Sequence, residues 1–385
     1  MSRLSKRGVS VVQSPIRAMS TACRKAGGIN LAQGVCDTET PSCIIQGAED
    51  ALRSGKNSYT NHRGIAELRH AIAEKERREK GLTLDPHKEI VVSNGATGAM
   101  YATLSALISP GDEVIVFEPS YGYHTATLQA LEAEVRHVQL PLYEDTMPWE
   151  ELENLVSERT KALIINTPAN PAGKVFSSDD FMRIAAIIAP YETVLISDEI
   201  YEYFLYEEVP HCSPCMIPAL QDRTVVIGGF SKTFSVTGWR VGYLIGPADI
   251  ASAAGHLNDL YYVCPPAPLQ HGICRGLTEL TPSFYTALRQ NHQEKRDILF
   301  TALEKAGLCP TLPKGAYYIL ADISRIHGST SLDRAMEFLR RTGVAGVPGS
   351  AFYHDSTGDH LCRFCFSKDR EIIVEAAQRI EQAFA

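Results

Sequence analysis

Apolar, β-branched runs recur along the first two thirds of the chain, at residues 90–93, 113–117, 162–166, 193–197, 224–227 and 243–245, with helical stretches between them. Continuous apolar runs bounded by turn residues are what strands covered on both faces require, so the pattern predicts a mostly parallel sheet wrapped by helices. Beyond about Pro282 the pattern changes. A long charged helix through Lys305 is followed by a strand at 316–321, a helix around 332–341, a strand at 361–366 and a closing helix from Asp369. This second part reads as a smaller α/β domain. A chain of 385 residues suits two domains sharing an interface better than one core. There is no internal repeat and no low-complexity segment.

Composition removes several function classes. The apolar share of 44% and charged share of 21% are ordinary for a soluble globular protein, and a net charge of −8 argues against a nucleic-acid surface. Arg3, Lys6 and Arg7 are followed by residues 8–14 without a sustained apolar segment, which is not a secretory leader. No apolar run reaches the roughly eighteen residues a membrane span needs, so a cytoplasmic protein is expected. The ten cysteines are scattered, and free buried thiols are expected. Two CxxC pairs, Cys212/Cys215 and Cys362/Cys365, lie too far apart for the usual two-pair zinc site. The second also falls in a predicted strand, where residues three apart face opposite ways. Cys212/Cys215 is the better candidate for a metal or redox role.

The chemistry concentrates in Ser231-Lys232-Thr233-Phe234-Ser235-Val236-Thr237-Gly238-Trp239-Arg240-Val241-Gly242-Tyr243. It follows the run 224–227 and Gly228-Gly229, so Lys232 sits where a buried strand opens into a turn. A lysine fixed there loses its proton through desolvation and a neighbouring cation, and can then attack a carbonyl to form a Schiff base. Arg240 offers a planar fork for a phosphate. The pair points to a phosphorylated aldehyde cofactor, pyridoxal 5′-phosphate, on Lys232.

The stretch resembles the lysine signature of the class I and II aminotransferases, the aspartate-aminotransferase-like group of pyridoxal-phosphate enzymes. Further motifs of that family occur in order from about Asn30 to Phe366. The resemblance implies the type I pyridoxal-phosphate transferase fold: a large domain, 46–281, with a mostly parallel seven-stranded sheet, and a discontinuous small domain, 1–45 with 282–385. It implies that Asp198, at the carboxyl end of its run, faces the cofactor's pyridine nitrogen, and that Tyr201 and Asn170, the latter in Asn166-Thr167-Pro168-Ala169-Asn170-Pro171-Ala172-Gly173, bond its phenolic oxygen. Ala172 stands where most relatives carry threonine.

Ser93-Asn94-Gly95-Ala96-Thr97-Gly98-Ala99 opens a helix after a strand, and the free amides there suit an anion, with Ala96, Thr97 and Ser231 joining Arg240 at the phosphate. Its spacing matches neither the Walker loop nor the dinucleotide fingerprint. By resemblance, Tyr121 stacks on the pyridine ring and Tyr59 reaches the phosphate of a partner subunit, which makes a homodimer. Arg363 is a charge among apolar neighbours in a predicted strand, so an anionic partner is expected. In the family this arginine clamps the substrate α-carboxylate, with Gly34 and Asn170 beside it. Cys36 and Thr38 replace the usual proline and aromatic nearby.

The implied reaction moves an amino group from an L-amino acid to a 2-keto acid, 2-oxoglutarate or pyruvate, in two stages, with Lys232, Asp198 and Tyr201 as catalytic residues. Thr97 stands where some dicarboxylate-specific relatives place lysine, while Tyr59, Tyr123, Tyr262 and Phe352 suit an aromatic pocket. A carbon-sulfur β-lyase on the same scaffold, a non-catalytic regulator that binds the cofactor, and a metal enzyme built on the cysteine pairs are the alternatives.

Overall fold

A computed structural model describes residues 3, 5–10, 15–144 and 146–385, so residues 11–14 of the amino-terminal stretch read above lie outside the described residues. Seven strands form the main sheet: β1 (Ile90–Ser93), β2 (Glu113–Glu118), β3 (Glu134–Gln139), β4 (Thr160–Asn166), β5 (Val194–Asp198), β6 (Thr224–Gly229) and β7 (Gly242–Ile245). Their order is β1-β7-β6-β5-β4-β2-β3. β7 runs antiparallel to both neighbours and every other pairing is parallel. Six strands coincide with the apolar runs to within two residues. The seventh, β3, reads Glu-Val-Arg-His-Val-Gln and escaped the pattern because it is an edge strand in which only Val138 is fully buried.

Helices cover both faces, and the strands divide their side chains between them. Val114 and Val116 pack with Ala99, Leu104 and Ala251 on one face, whereas Ile115 and Phe117 pack with Leu152, Phe181 and Ile184 on the other. This period of two is what a strand enclosed by two helical layers needs, and each such side chain contributes about 1.5–3 kcal/mol of burial.

The carboxy-terminal part builds a three-stranded antiparallel sheet from Val347–Pro348, Leu361–Cys365 and Tyr318–Asp322. The last strand starts later than the apolar run suggests because Ala316 turns with φ +58°, its N–H bonded to Phe204 O at 2.9 Å. The helix Ser331–Thr342 opens with a Thr330/Asp333 capping box and ends at Gly343, whose φ of +69° suits a residue without Cβ. Helices Pro282–Lys305 and Arg370–Phe384 back the sheet. Met19, Cys23 and Leu31 share this core with Leu299, Phe338 and Ile373, and Ile29–Asn30 pairs with Val344–Ala345. Among the described residues no helix is long and apolar enough to cross a membrane.

Candidate active site

The carboxyl ends of β1, β2, β4, β5 and β6 open on one cavity of about 510 Å³, where α/β sheets bind their ligands. Eleven of the twelve residues singled out by sequence line it: Gly34, Ala96, Thr97, Tyr121, Asn170, Asp198, Tyr201, Ser231, Lys232, Arg240 and Arg363. Tyr59, the twelfth, lies outside this wall and is 84% exposed.

Lys232 follows β6 in a turn, as predicted, and its Nζ donates to Gly34 O at 3.0 Å. Burial lowers its pKa from the ordinary lysine value, and Arg363 and Arg240 lower it further against the opposing Cys36 and Cys365. An amine in that setting reaches its nucleophilic form more readily than a surface lysine.

The helix Gly95–Leu107 begins directly beyond β1, and Ala96 and Thr97 sit in its first turn, where unbonded N–H groups and the helix dipole favour an anion. Arg240 closes the same corner with its Nη1 on Thr237 O at 3.0 Å. A Cβ on Gly95 would stand 2.4 Å from Arg240 Nη2, and one on Gly242 2.4 Å from Ala96 N. Bare glycine backbone thus shapes a cradle of amides, hydroxyl and guanidinium that fits a phosphate.

Asp198 ends β5, with Oδ1 accepting from Ile200 N at 3.2 Å and Oδ2 lying 2.9 Å from His124 Nε2. His124 is a site residue that sequence reasoning missed. It is buried and lines the cavity, and the one signal was its place three residues after Tyr121 at the start of the helix Gly122–Ala130. Tyr121 stacks on Tyr123 with ring centroids 5.1 Å apart. Tyr201 bonds Tyr318 hydroxyl to hydroxyl at 3.0 Å, and burial, then Tyr318, holds its pKa well above the ordinary tyrosine value.

Arg363, 1% exposed, donates from Nη1 to Asn170 Oδ1 at 3.0 Å and from Nη2 to Ala32 O at 2.7 Å, and its Nε has no partner. No carboxylate faces it among the described residues, so the buried cation is poised for an anion from outside the chain. A Cβ on Gly34 would stand 1.9 Å from Tyr318 Oη, which explains a glycine there.

The expected aromatic pocket is only partly formed. Tyr123 lines the cavity and Phe352 packs on Arg363, but Tyr262 stands over Gly98 on a half-exposed face and Tyr59 is not part of this wall. All ten cysteines are free. Burial raises Cys212 to about 11 and Cys215 to about 12, and neither pair joins the clusters of ligand-type side chains found among the described residues.

Known proteins match this chain over most of their length. The chain is 33% identical over 364 residues to the methionine aminotransferase of Escherichia coli, covering 94% of each, and 35% identical over 359 residues to the aspartate aminotransferase of Pyrococcus abyssi, covering 92% and 91%. The solved structure of Escherichia coli YbdL, described as identifying a methionine aminotransferase function, superposes with a TM-score of 0.94 at 32% identity over 99% of this chain and 100% of that one. Residues 26–380 match the model of the family aminotransferase class I and II. With that match, the mostly parallel seven-stranded sheet and the cavity at its carboxyl edge, the chain belongs to the class I and II aminotransferases, a family of pyridoxal-phosphate-dependent enzymes.

Proposed function

We propose that the chain binds pyridoxal 5′-phosphate and moves an amino group from an L-amino acid to a 2-keto acid. The observation that carries this is the meeting of Lys232, Asp198 and Arg363 on one cavity wall, with the Lys232 pKa lowered by burial. The bound cofactor would supply an electron sink for the substrate α-carbon and a carrier for the amino group. Ala96, Thr97, Ser231 and Arg240 would hold its phosphate, Asp198 steadied by His124 its ring nitrogen, Asn170 and Tyr201 its phenolic oxygen, and Tyr121 its ring face. Lys232 Nζ would carry the proton that leaves the α-carbon. Arg363 would bind the α-carboxylate through its fork.

Donor and acceptor need the same arginine, so they enter in turn and ping-pong kinetics follows. Arg17 also lines the cavity, with no ion pair among the described residues, which supports a second carboxylate on one substrate, as in 2-oxoglutarate. The named relatives differ in substrate, and the donor class rests on this wall. A homodimer in which Tyr59 completes the partner's phosphate site is supported by its exposure and by the exposed apolar stretch Leu260, Tyr261, Tyr262 and Val263.

The test is the absorbance of the cofactor-loaded protein during additions of amino acids and then keto acids. A band that shifts with an amino acid and returns with a keto acid is expected, with K232A slowing the exchange by on the order of 10⁴-fold. Absence of any cofactor band would overturn the proposal; keto acid and ammonia released without an acceptor would replace transfer by elimination.

A further inference from the structure

Arg363 lies between two aromatic rings, Tyr318 at 4.2 Å and Phe352 at 4.9 Å from its guanidinium carbon. Tyr318 belongs to the strand paired with Arg363's own, so that side of the sandwich is fixed by the sheet. Phe352 follows the short helical turn Gly349–Ala351 instead, and something else must hold it. The loop is tied to the end of β2 by three contacts: Ser120 N donates to Phe352 O at 2.9 Å, His354 N donates to Glu118 Oε1 at 2.9 Å, and His354 Nδ1 lies 2.8 Å from Glu118 Oε2.

Glu118 is 1% exposed. A carboxylate so deeply buried is costly unless its oxygens are engaged, and both are engaged by His354. On the other side His137 places Nδ1 2.9 Å from Oε1, off hydrogen-bond alignment, and stacks on His354 with centroids 4.1 Å apart and planes 5° from parallel. Both imidazoles thus turn Nδ1 toward the Glu118 carboxylate, and of the two it is His354 that carries the loop.

We propose that Glu118 is a positioning residue for the carboxylate clamp: through His354 it locks the loop that lays Phe352 over Arg363. This rests on the reading that Arg363 binds the substrate α-carboxylate. With the lock intact, Arg363 is dry and its fork is aimed; with it broken, the ring lifts, water enters and every carboxylic substrate binds less well, whatever its side chain. Glu118 touches neither substrate nor cofactor in this scheme.

The test is full-length protein treated with phenylglyoxal, the rate of Arg363 modification being followed by peptide mass mapping, beside steady-state kinetics with two amino acids and two keto acids. E118A and H354A are expected to speed Arg363 modification and to raise KM for all four substrates together, each by about tenfold, with kcat within about twofold, while E118Q recovers most of both. Wild-type protection of Arg363 in folded E118A and H354A, or a loss confined to kcat, would overturn the proposal. Should E118A fail to fold, H354A carries the test, because His354 is 44% exposed and its loss leaves the strand intact. If the wild-type protein transferred no amino group yet the modification rates followed this pattern, the lock would stand and the assigned reaction would fall.

Discussion

Asp198 and Glu199 are adjacent at the end of β5, yet they enter two charged regions of opposite design. Glu199 joins a buried network in which Lys80 lies 2.9 Å from Glu199, 3.0 Å from Glu76 and 3.2 Å from Glu202, while Lys75 lies 2.8 Å from Glu76 and 2.7 Å from Glu202, with His211 at 2.8 Å from Glu199. Asp198 faces the cavity, where Lys232, Arg240 and Arg363 bond only carbonyl oxygens and the Asn170 amide. The ionisations follow suit. Burial works against every charge in the network, but the Glu partners hold Lys75 and Lys80 well above the ordinary lysine value, and the lysines bring Glu199 and Glu202 down to about 2. In the cavity burial acts on Lys232 with two arginines on its side, and its pKa falls. One region pairs its charges within the chain; in the other, Lys232, Arg240 and Arg363 have no ion pair among the described residues, as the proposed anion-binding roles require.

The largest effect expected from breaking this contrast is in the network. Lys75→Met leaves Glu76 and Glu202 with Lys80 alone, and removing one partner of a buried pair costs about 3–5 kcal/mol, measurable by denaturant unfolding of the cofactor-free protein. The acid limb sharpens it. Glu199 and Glu202 are depressed in the folded state, so their contribution is present above the unfolded glutamate value of about 4.3 and is lost as pH falls toward about 2. In K75M the depression of Glu202 shrinks, so its share is lost at a higher pH and acid unfolding begins earlier. A variant as stable as wild type at neutral pH, with the same acid limb, would dissolve the distinction between the two regions.

Arg363→Lys probes the other side. Lysine keeps the charge but loses the planar fork and the fit between Tyr318 and Phe352, and kcat/KM is expected to fall about 100-fold, equivalent to about 2.7 kcal/mol. Stability should not fall as it does for K75M, because Arg363 has no ion pair among the described residues to lose. Strained or unpaired groups at functional sites commonly trade stability for activity. An R363K protein that unfolds as easily as K75M would show that Arg363 is a structural cation.

The contrast also explains what the sequence disclosed. The cavity was legible because its residues stand at places dictated by local structure: Lys232 after a glycine-ended strand, Ala96 and Thr97 at a helix start, and Arg363 alone in an apolar strand. The network was not. Lys75, Glu76 and Lys80 lie in Ala66–Lys80, a helix so charged that it reads as a solvated face, and their partners Glu199, Glu202 and His211 are more than a hundred residues away. His124 was hidden for the same reason: its partner Asp198 is 74 residues distant, and only the fold joins them. The edge strand β3 lacked an apolar run because one of its sides has no neighbour.

The smallest predicted effect tests the shape of the cavity rather than its charge. Gly95→Ala adds a Cβ 2.4 Å from Arg240 Nη2 at a residue with φ +75°. Arg240 is exposed, so its guanidinium can swing aside; the cost is a displaced phosphate ligand and not a broken core. Cofactor affinity is expected to fall about fivefold to tenfold, or roughly 1–1.4 kcal/mol, read by titrating the cofactor-free protein with pyridoxal 5′-phosphate. Backbone strain alone would cost a similar amount of stability, about 1–2 kcal/mol, so it must be separated from the contact. Gly81 provides the control: it has φ +71°, ends the helix Ala66–Lys80, and a Cβ there meets nothing within 4 Å. G81A should lose comparable stability and bind the cofactor as wild type does. Equal affinity losses in the two variants would mean that the Gly95 cradle has no part in holding the phosphate.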